Sequence, residues 1–242
     1  VVDRQLNYGR AALDRYFARL SNVRTALDVG VGTGSDLMAL KQLFPEAKLY
    51  GVDFNDASLD KVSNMGIQPI RSNIERDRLP LADEHVDVVI ANQVFEHLKE
   101  IFWSLHEICR VLSVGGHVVI GVPNLASLHN RLLLMLGRQP TCIKSVGAHV
   151  RGFTKQDFLH FVHTVSGGSL QLKGFAGSNF YPLPGRLTPP FAWAFPTAAV
   201  GIFFHFQKVE SYQPLFIEHL KSGPFETNFY SGLRQGKISL DD

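Results

Sequence analysis

The sequence predicts an α/β fold: a doubly wound sheet with helices on both faces. Three observations point to it. A buried-strand pattern, Thr25 to Val29, runs into a turn with glycine at positions 30, 32 and 34, and a helical pattern follows. A second apolar run, Lys48 to Val52, ends at Asp53, nineteen residues past Gly34. Short apolar runs then keep alternating with helical spacing as far as residue 122, the pattern of parallel strands joined by helical crossovers.

A chain of 242 residues can bury a full core. One α/β domain is expected over 1–210, with an insertion at about 123–152 and a C-terminal extension over 211–242. The formal net charge is +2 and the basic residues are dispersed, so no electrostatic footprint for nucleic acid is present. Cys109 and Cys142 are too few for a disulfide framework and lack metal-ligand spacing, which favours a reducing, cytoplasmic setting. The N-terminus has no basic-then-apolar signal pattern. The most apolar stretch, Pro189 to Phe206, is interrupted by Pro190 and Pro196 and reads as a helix followed by a core strand.

Taken in order, residues 4–20 show helical spacing, with Leu6, Leu13, Phe17 and Leu20 apolar and Arg4, Arg10, Asp14, Arg15 and Arg19 on the other side. An ordinary packing helix is expected, with a lid over the ligand entrance as the alternative. The turn that follows reads Asp-x-Gly-x-Gly-x-Gly from Asp28. The dinucleotide spacing Gly-x-Gly-x-x-Gly is not met, because Ser35 stands where its third glycine belongs. Leu37, Leu40, Leu43 and Phe44 then share a helix face that Pro45 ends. At the end of the second strand, the Asp53 carboxylate suits two vicinal ribose hydroxyls, and Phe54 is expected either to cover an adenine face or to pack in the core.

A third strand, Gln68 to Arg71, leads to Ser72-Asn73-Ile74-Glu75. The segment Leu79 to Ala91 approaches and forms the fourth, which continues into Asn92-Gln93-Val94-Phe95-Glu96-His97-Leu98. A helix is expected from about Lys99 to Leu112, and Leu112-Ser113-Val114-Gly115-Gly116 opens the fifth strand. Beyond it, Leu125, Leu128, Leu132, Met135 and Leu136 give an amphipathic helix with a broad apolar face. Thr154 is an N-cap for a helix that buries Phe158, Phe161 and Val162. Ser169 to Phe175 and Val200 to Val209 form the last strands, with a short helix between them.

Residues 24–122 resemble the class I S-adenosylmethionine-dependent methyltransferases. Asp28 to Gly34 has the spacing of that family's first motif. Leu79-Pro80-Leu81-Ala82-Asp83 through Val89 resembles its Leu-Pro-Phe-x-(Asp/Glu)-x-x-Phe-Asp-x-Val stretch, with Leu81 and Val86 replacing phenylalanines. Glu96-His97-Leu98 matches its Glu-His-hydrophobic stretch, and Leu112 to Gly116 its Leu-(Lys/Arg)-Pro-Gly-Gly turn, with Val114 for proline. From there to residue 210 the resemblance is loose. It implies a Rossmann-like, seven-stranded sheet, mostly parallel with an antiparallel last strand. It also implies S-adenosylmethionine as cofactor, bound by Asp28, Gly30, Gly32 and Gly34 at the turn, by Asp53 and Phe54, by Asn73 and Ile74, and by Asn92. Asn73 departs from the acid that the family places there, so the adenine contact falls to its amide oxygen or to the Ile74 backbone. A nicotinamide-dependent oxidoreductase and a methyltransferase-like binding protein without turnover remain as alternatives.

In the methyltransferase reading the sulfonium carbon is already electrophilic, and no metal or covalent nucleophile is called for. A hydroxyl acceptor needs a general base. His97 is the candidate, with capping of the next helix by Glu96 and His97 as the alternative. Asn124, His149 and Arg151 are candidates for acceptor binding, or else loop anchors. Thirteen of the eighteen phenylalanines fall after residue 150, so the half that would build the acceptor site is unusually apolar. The acceptor is therefore expected to be a small molecule, a glycan or a lipid-linked compound. Peripheral membrane contact and a homodimer interface would use the same surface. Phe216, Phe225, Phe229 and Tyr230 suggest an arm packed on this subunit or a neighbour.

Overall fold

The computed structural model describes residues 4–222 together with 229, 230 and 232. In chain order the helices and strands are α1 (Arg4–Asn7), α2 (Arg10–Phe17), β1 (Thr25–Val29), α3 (Ser35–Leu43), β2 (Lys48–Asp53), α4 (Asp56–Ser63), β3 (Gln68–Arg71), β4 (Val86–Asn92), α5 (Ile101–Val111), β5 (Leu112–Pro123), α6 (Leu128–Met135), α7 (Lys155–Ser166), β6 (Leu170–Ser178), α8 (Thr188–Ala194), β7 (Gly201–Lys208) and α9 (Leu215–Leu220).

The strands form one seven-stranded sheet in the order β3-β2-β1-β4-β5-β7-β6. β1 pairs in parallel with β2 and β4, β2 with β3, and β4 with β5. β7 runs antiparallel between β5 and β6. The chain therefore reverses its winding at β1, and β1 and β4 lie side by side with their carboxyl ends at one edge. In such sheets a crevice opens at that switch point.

Strand periodicity decides what packs on each face. Ala26, Val88, Ile90, Val119 and Phe203 point one way, against Leu13 and Phe17 of α2, Leu37 and Leu40 of α3, and Leu59 and Val62 of α4. Leu27, Val89, Ala91, Val118 and Phe204 point the other way, against Ile101, Leu105 and Ile108 of α5 and Phe158 and Val162 of α7.

The single N-terminal helix expected over 4–20 is broken. Gly9 adopts φ +62°, and a side chain there would run into the Phe203 ring, so the chain turns between α1 and α2 and brings Tyr8 and Arg10 to the carboxyl edge of the sheet. The α6 helix carries its apolar face outward. Leu128, Leu132, Leu134 and Met135 are exposed, while the polar Asn130 faces in, where it donates to Asn124 O at 3.1 Å and accepts from Thr141 N at 3.0 Å. Thr154 caps α7 by accepting from Asp157 N at 3.3 Å. In the C-terminal segment, Phe216 and Phe229 pack on Phe102, and Tyr230 on Trp103; Phe225 lies outside the described residues. Among the described residues, no helix is long and apolar enough to cross a membrane.

Candidate functional site

The turn after β1 is built by hydrogen bonds that leave its inner side open. Gly30 N and Val31 N donate to Val52 O at 2.8 and 2.9 Å, and Gly34 N donates to Val31 O at 2.8 Å. Gly30, Gly32 and Gly34 all have positive φ. At Gly32 (φ +48°), a Cβ would meet nothing nearer than Gly30 O at 3.8 Å, so the missing side chain leaves room at the cleft.

Two cavities meet at this turn, sharing Gly30 and Gln93 as lining. The first, of about 450 Å³, is lined by Asp28, Gly32, Asp36 and Asn92 on the sheet side and by Tyr8 and Arg10 from the N-terminal segment. Arg10 forms an ion pair with Asp36, and Asn92 Nδ2 donates to Asp36 Oδ2 at 2.9 Å and to Tyr8 O at 3.1 Å. Burial, with the neighbouring Asp36 carboxylate adding to it, pushes the Asp28 carboxyl well above the ordinary carboxylate range, while Arg10 opposes the shift. Asn92 Oδ1 and Gln93 Nε2 are buried without a hydrogen-bond partner among the described residues. Such groups are costly unless a ligand satisfies them.

The second cavity, of about 500 Å³, is lined by Val52, Asp53, Phe54, Ser72, Asn73, Ile74, Glu75, Val94, His97 and Leu98. Asp53 Oδ2 accepts from Gly32 N at 3.2 Å and Oδ1 from Asn55 N at 3.0 Å, so the carboxylate stands between the cavities. Phe54 is 76% exposed, an unusual setting for a large aromatic with no ligand on it. Asn73 Oδ1 accepts from Glu75 N at 3.0 Å within its own turn, whereas Ile74 is buried and lines the wall. Ser72 Oγ is another buried atom without a partner among the described residues. The open glycine turn, the Asp53 carboxylate beside it, the exposed aromatic and the orphaned polar atoms fit an adenosine-type ligand with a polar tail.

Beyond this wall lies a group drawn from two segments. A 3₁₀ turn, Phe95–His97, follows β4 and carries Glu96, which is 1% exposed. Burial raises the Glu96 carboxyl to about 8. His97 Nδ1 bonds to Ala148 O at 3.1 Å, and the His149 ring crosses the His97 ring with centroids 4.8 Å apart. Thus His97 and His149 do come together.

The other two acceptor candidates do not join them. Asn124 is buried, with Nδ2 donating to Thr197 O at 2.9 Å and Ala199 O at 2.8 Å and Oδ1 accepting from Ala126 N at 3.0 Å. Arg151 donates to Leu98 O at 3.1 Å and Lys99 O at 2.8 Å, and it lines a separate cavity with Phe102, Phe153 and Phe161. Both act as loop anchors. Sequence reasoning gave no cleft role to Tyr8, Arg10, Asp36 or Gln93. The one local signal was Arg10 on the polar side of an otherwise ordinary helix.

Comparison with known proteins agrees with this geometry. Residues 27–120 match the family described as methyltransferase domain. A malonyl-[acyl-carrier protein] O-methyltransferase of Coxiella burnetii is 31% identical over 128 residues, covering 50% of this chain and 44% of that protein. A demethylmenaquinone methyltransferase of Roseiflexus castenholzii is 33% identical over 97 residues, covering 38% and 40%. The matches thus span less than half the length of these curated relatives. Among solved structures, an S-adenosylmethionine-dependent methyltransferase of Thermotoga maritima superposes with a TM-score of 0.58 at 16% identity, covering 83% of this chain and 89% of that one, which speaks for the fold alone. Residues 27–120, which hold the glycine turn and β4, thus match a methyltransferase domain, a family whose methyl donor is S-adenosylmethionine.

Proposed function

We propose that this protein transfers the methyl group of S-adenosylmethionine to an oxygen atom of an apolar, lipid-linked or similarly extended acceptor. The observation that carries the reading is the pair of cavities meeting at Gly30 and Gln93 with the Asp53 carboxylate between them. S-adenosylmethionine, when bound, supplies a methyl carbon already activated by its sulfonium.

The chain's own residues then have separable tasks. Asp53 accepts from the ribose hydroxyls while Gly32 lets the backbone approach, and Phe54 and Ile74 cover the adenine. With the Asn73 oxygen held by Glu75 N, the backbone next to Ile74 takes the adenine amino group. Arg10 faces the carboxylate of the amino-acid tail, and Asp28 faces its ammonium, which also offsets the cost of burying Asp28.

His97 is assigned the acceptor's proton. Its Nδ1 points at the Ala148 carbonyl, which can only accept, so the proton sits on Nδ1 and Nε2 keeps a lone pair. The outward-facing leucines of α6, with Trp193 in the last turn of α8 and Phe195 just after it, support a large apolar acceptor, docked from a carrier or a membrane surface.

The test is incubation of the protein with isotopically labelled S-adenosylmethionine and cell-extract lipid and aqueous fractions, followed by mass spectrometry. Label in an O-methyl product of the lipid fraction, reduced by about 10²-fold or more in His97→Gln, is expected. Binding of NADH in preference to S-adenosylmethionine would overturn the reading, and tight binding of the methyl donor with no labelled product would leave a binding protein.

A further inference from the structure

Glu96, His97 and His149 meet where two segments distant in sequence are pinned together. Glu96 and His97 belong to the 3₁₀ turn after β4, and His149 to the long segment between β5 and α7. Val150 N donates to Glu96 O at 2.8 Å and fixes one segment on the other. One ligand-capable atom from each of the three side chains lies within 4.8 Å of the other two.

The tautomers of the neutral rings follow from the partners. His149 Nδ1 faces Cys142 O at 2.8 Å, as His97 Nδ1 faces Ala148 O at 3.1 Å. A backbone carbonyl can only accept, so both imidazoles carry their proton on Nδ1 and keep Nε2 as a lone pair. Metal-binding histidines are commonly oriented by this kind of bond to a carbonyl. Between them, Glu96 is 1% exposed, and neither of its oxygens has a hydrogen-bond partner. Its nearest ring nitrogen, His97 Nε2, stands 3.8 Å from Oε1. The two imidazoles and the unpartnered, buried carboxyl group converge, and a cation that displaces the carboxyl proton would be held by all three at once.

We propose that Glu96, His97 and His149 bind a divalent metal ion, with Zn²⁺ the best match to two imidazoles and one carboxylate. Three protein ligands leave at least one position open, the arrangement of reactive rather than purely structural zinc sites. His97 lines the second cavity, so the ion would stand at its wall. It would take up the lone pair otherwise assigned to the acceptor's proton, and a hydroxyl bound at the open position would lose its proton to water more readily. The ion would also clamp the 123–152 segment to the floor of the cleft. The sequence hides such a site, because its ligands are an adjacent pair plus one residue fifty positions on.

The site does not depend on methyl transfer, and the experiment separates the two. The full chain, stripped with chelator, is titrated with Zn²⁺ by calorimetry and with Co²⁺ by visible absorption. One ion per chain at micromolar or tighter Kd is expected, together with cobalt d–d bands. Glu96→Gln and His149→Ala should each weaken Zn²⁺ by at least about tenfold, while Cys142→Ser leaves it unchanged. S-adenosylmethionine affinity, measured on every variant, reports that the fold is intact. No stoichiometric uptake by the wild-type chain overturns the proposal, as does undiminished uptake by Glu96→Gln and His149→Ala. Loss of S-adenosylmethionine binding by the wild-type chain would instead count against the proposed function and leave the metal site standing.

Discussion

Asp53 Oδ2 accepts the amide hydrogen of Gly32 at 3.2 Å, so the carboxyl end of β2 grips the turn that closes β1. One carboxylate thereby shapes the glycine turn and also stands between the two cavities. Asp53→Ala removes the grip on the turn and the acceptor for the ribose together. S-adenosylmethionine affinity should fall by about 10- to 100-fold, the range for hydrogen bonds to a charged group. Calorimetry checks this. Affinity within twofold of wild type would show that the nucleoside does not reach this carboxylate.

Gly32 and Gly34 should respond differently to the same substitution. Valine at Gly32 grows into open space, so Gly32→Val should abolish S-adenosylmethionine binding while losing about 1–2 kcal/mol from its positive φ. Valine at Gly34 instead presses on Val62 Cγ1 and Ile67 Cδ1, which stand 3.0 and 3.1 Å from the added Cβ. Gly34→Val should therefore lower Tm more than Gly32→Val does. Thermal melts with and without ligand distinguish the two outcomes.

The parts of this molecule legible in its sequence are those that local periodicity encodes. The sheet faces, the turn at Asp28 to Gly34 and the strand ending at Asp53 all follow from spacing within a few residues. What escaped depends on distant partners. At the break, Gly9 packs so closely on Phe203 of β7 that no side chain fits, and Arg10, the next residue, lines the first cavity. Asn130 faces inward because Asn124 and Thr141 await it, which turns the leucines of α6 outward against the simple amphipathic reading. His97 and His149, which both stood out in the sequence, could not be paired until the fold placed them together.

Asn124 illustrates the distinction between binding and anchoring. Its amide bonds to Thr197 O, Ala199 O and Ala126 N join the end of β5 to the chain preceding β7. Asn124→Ala should lower stability by about 1–3 kcal/mol, because buried carbonyls lose their donor. At a temperature where the variant is folded, KM for an acceptor should stay within twofold of wild type. A large KM change with unaltered stability would restore Asn124 to the acceptor site.

His205 predicts a pH dependence. Its imidazole is pushed down to about 4, from 6.5, chiefly by burial and then by the adjacent His117, whose Nδ1 lies 2.9 Å from His205 Nε2. The unfolded chain takes up a proton as pH falls through 6.5, whereas the folded chain resists until about 4. Stability is therefore lost as pH drops across that window. His205→Gln, which does not titrate, should lose about 1–2 kcal/mol less than wild type between pH 7 and 5. Urea midpoints at the two pH values measure the difference, and parallel losses in both proteins would refute the assignment.

Arg110 and Glu107 form a buried, bidentate ion pair on the α5 side of the sheet. Arg110 donates to both carboxylate oxygens of Glu107, at 2.8 and 2.6 Å, and to Asp83 Oδ1 at 2.7 Å. Glu107 also accepts from Leu79 N at 2.7 Å, and Arg110 donates to Leu79 O and Leu81 O, so the pair moulds the Leu79–Asp83 loop that leads into β4. Glu107 is fully buried. Arg110→Met would leave its carboxylate uncompensated and should lose about 3–5 kcal/mol. Adding Glu107→Leu removes the stranded charge and should recover part of that loss, whereas independent sites would add their losses instead. Urea denaturation of the two single variants and the double variant closes the cycle. A double variant less stable than Arg110→Met alone would show that the network's bonds to the loop backbone, rather than the pairing of the two charges, dominate.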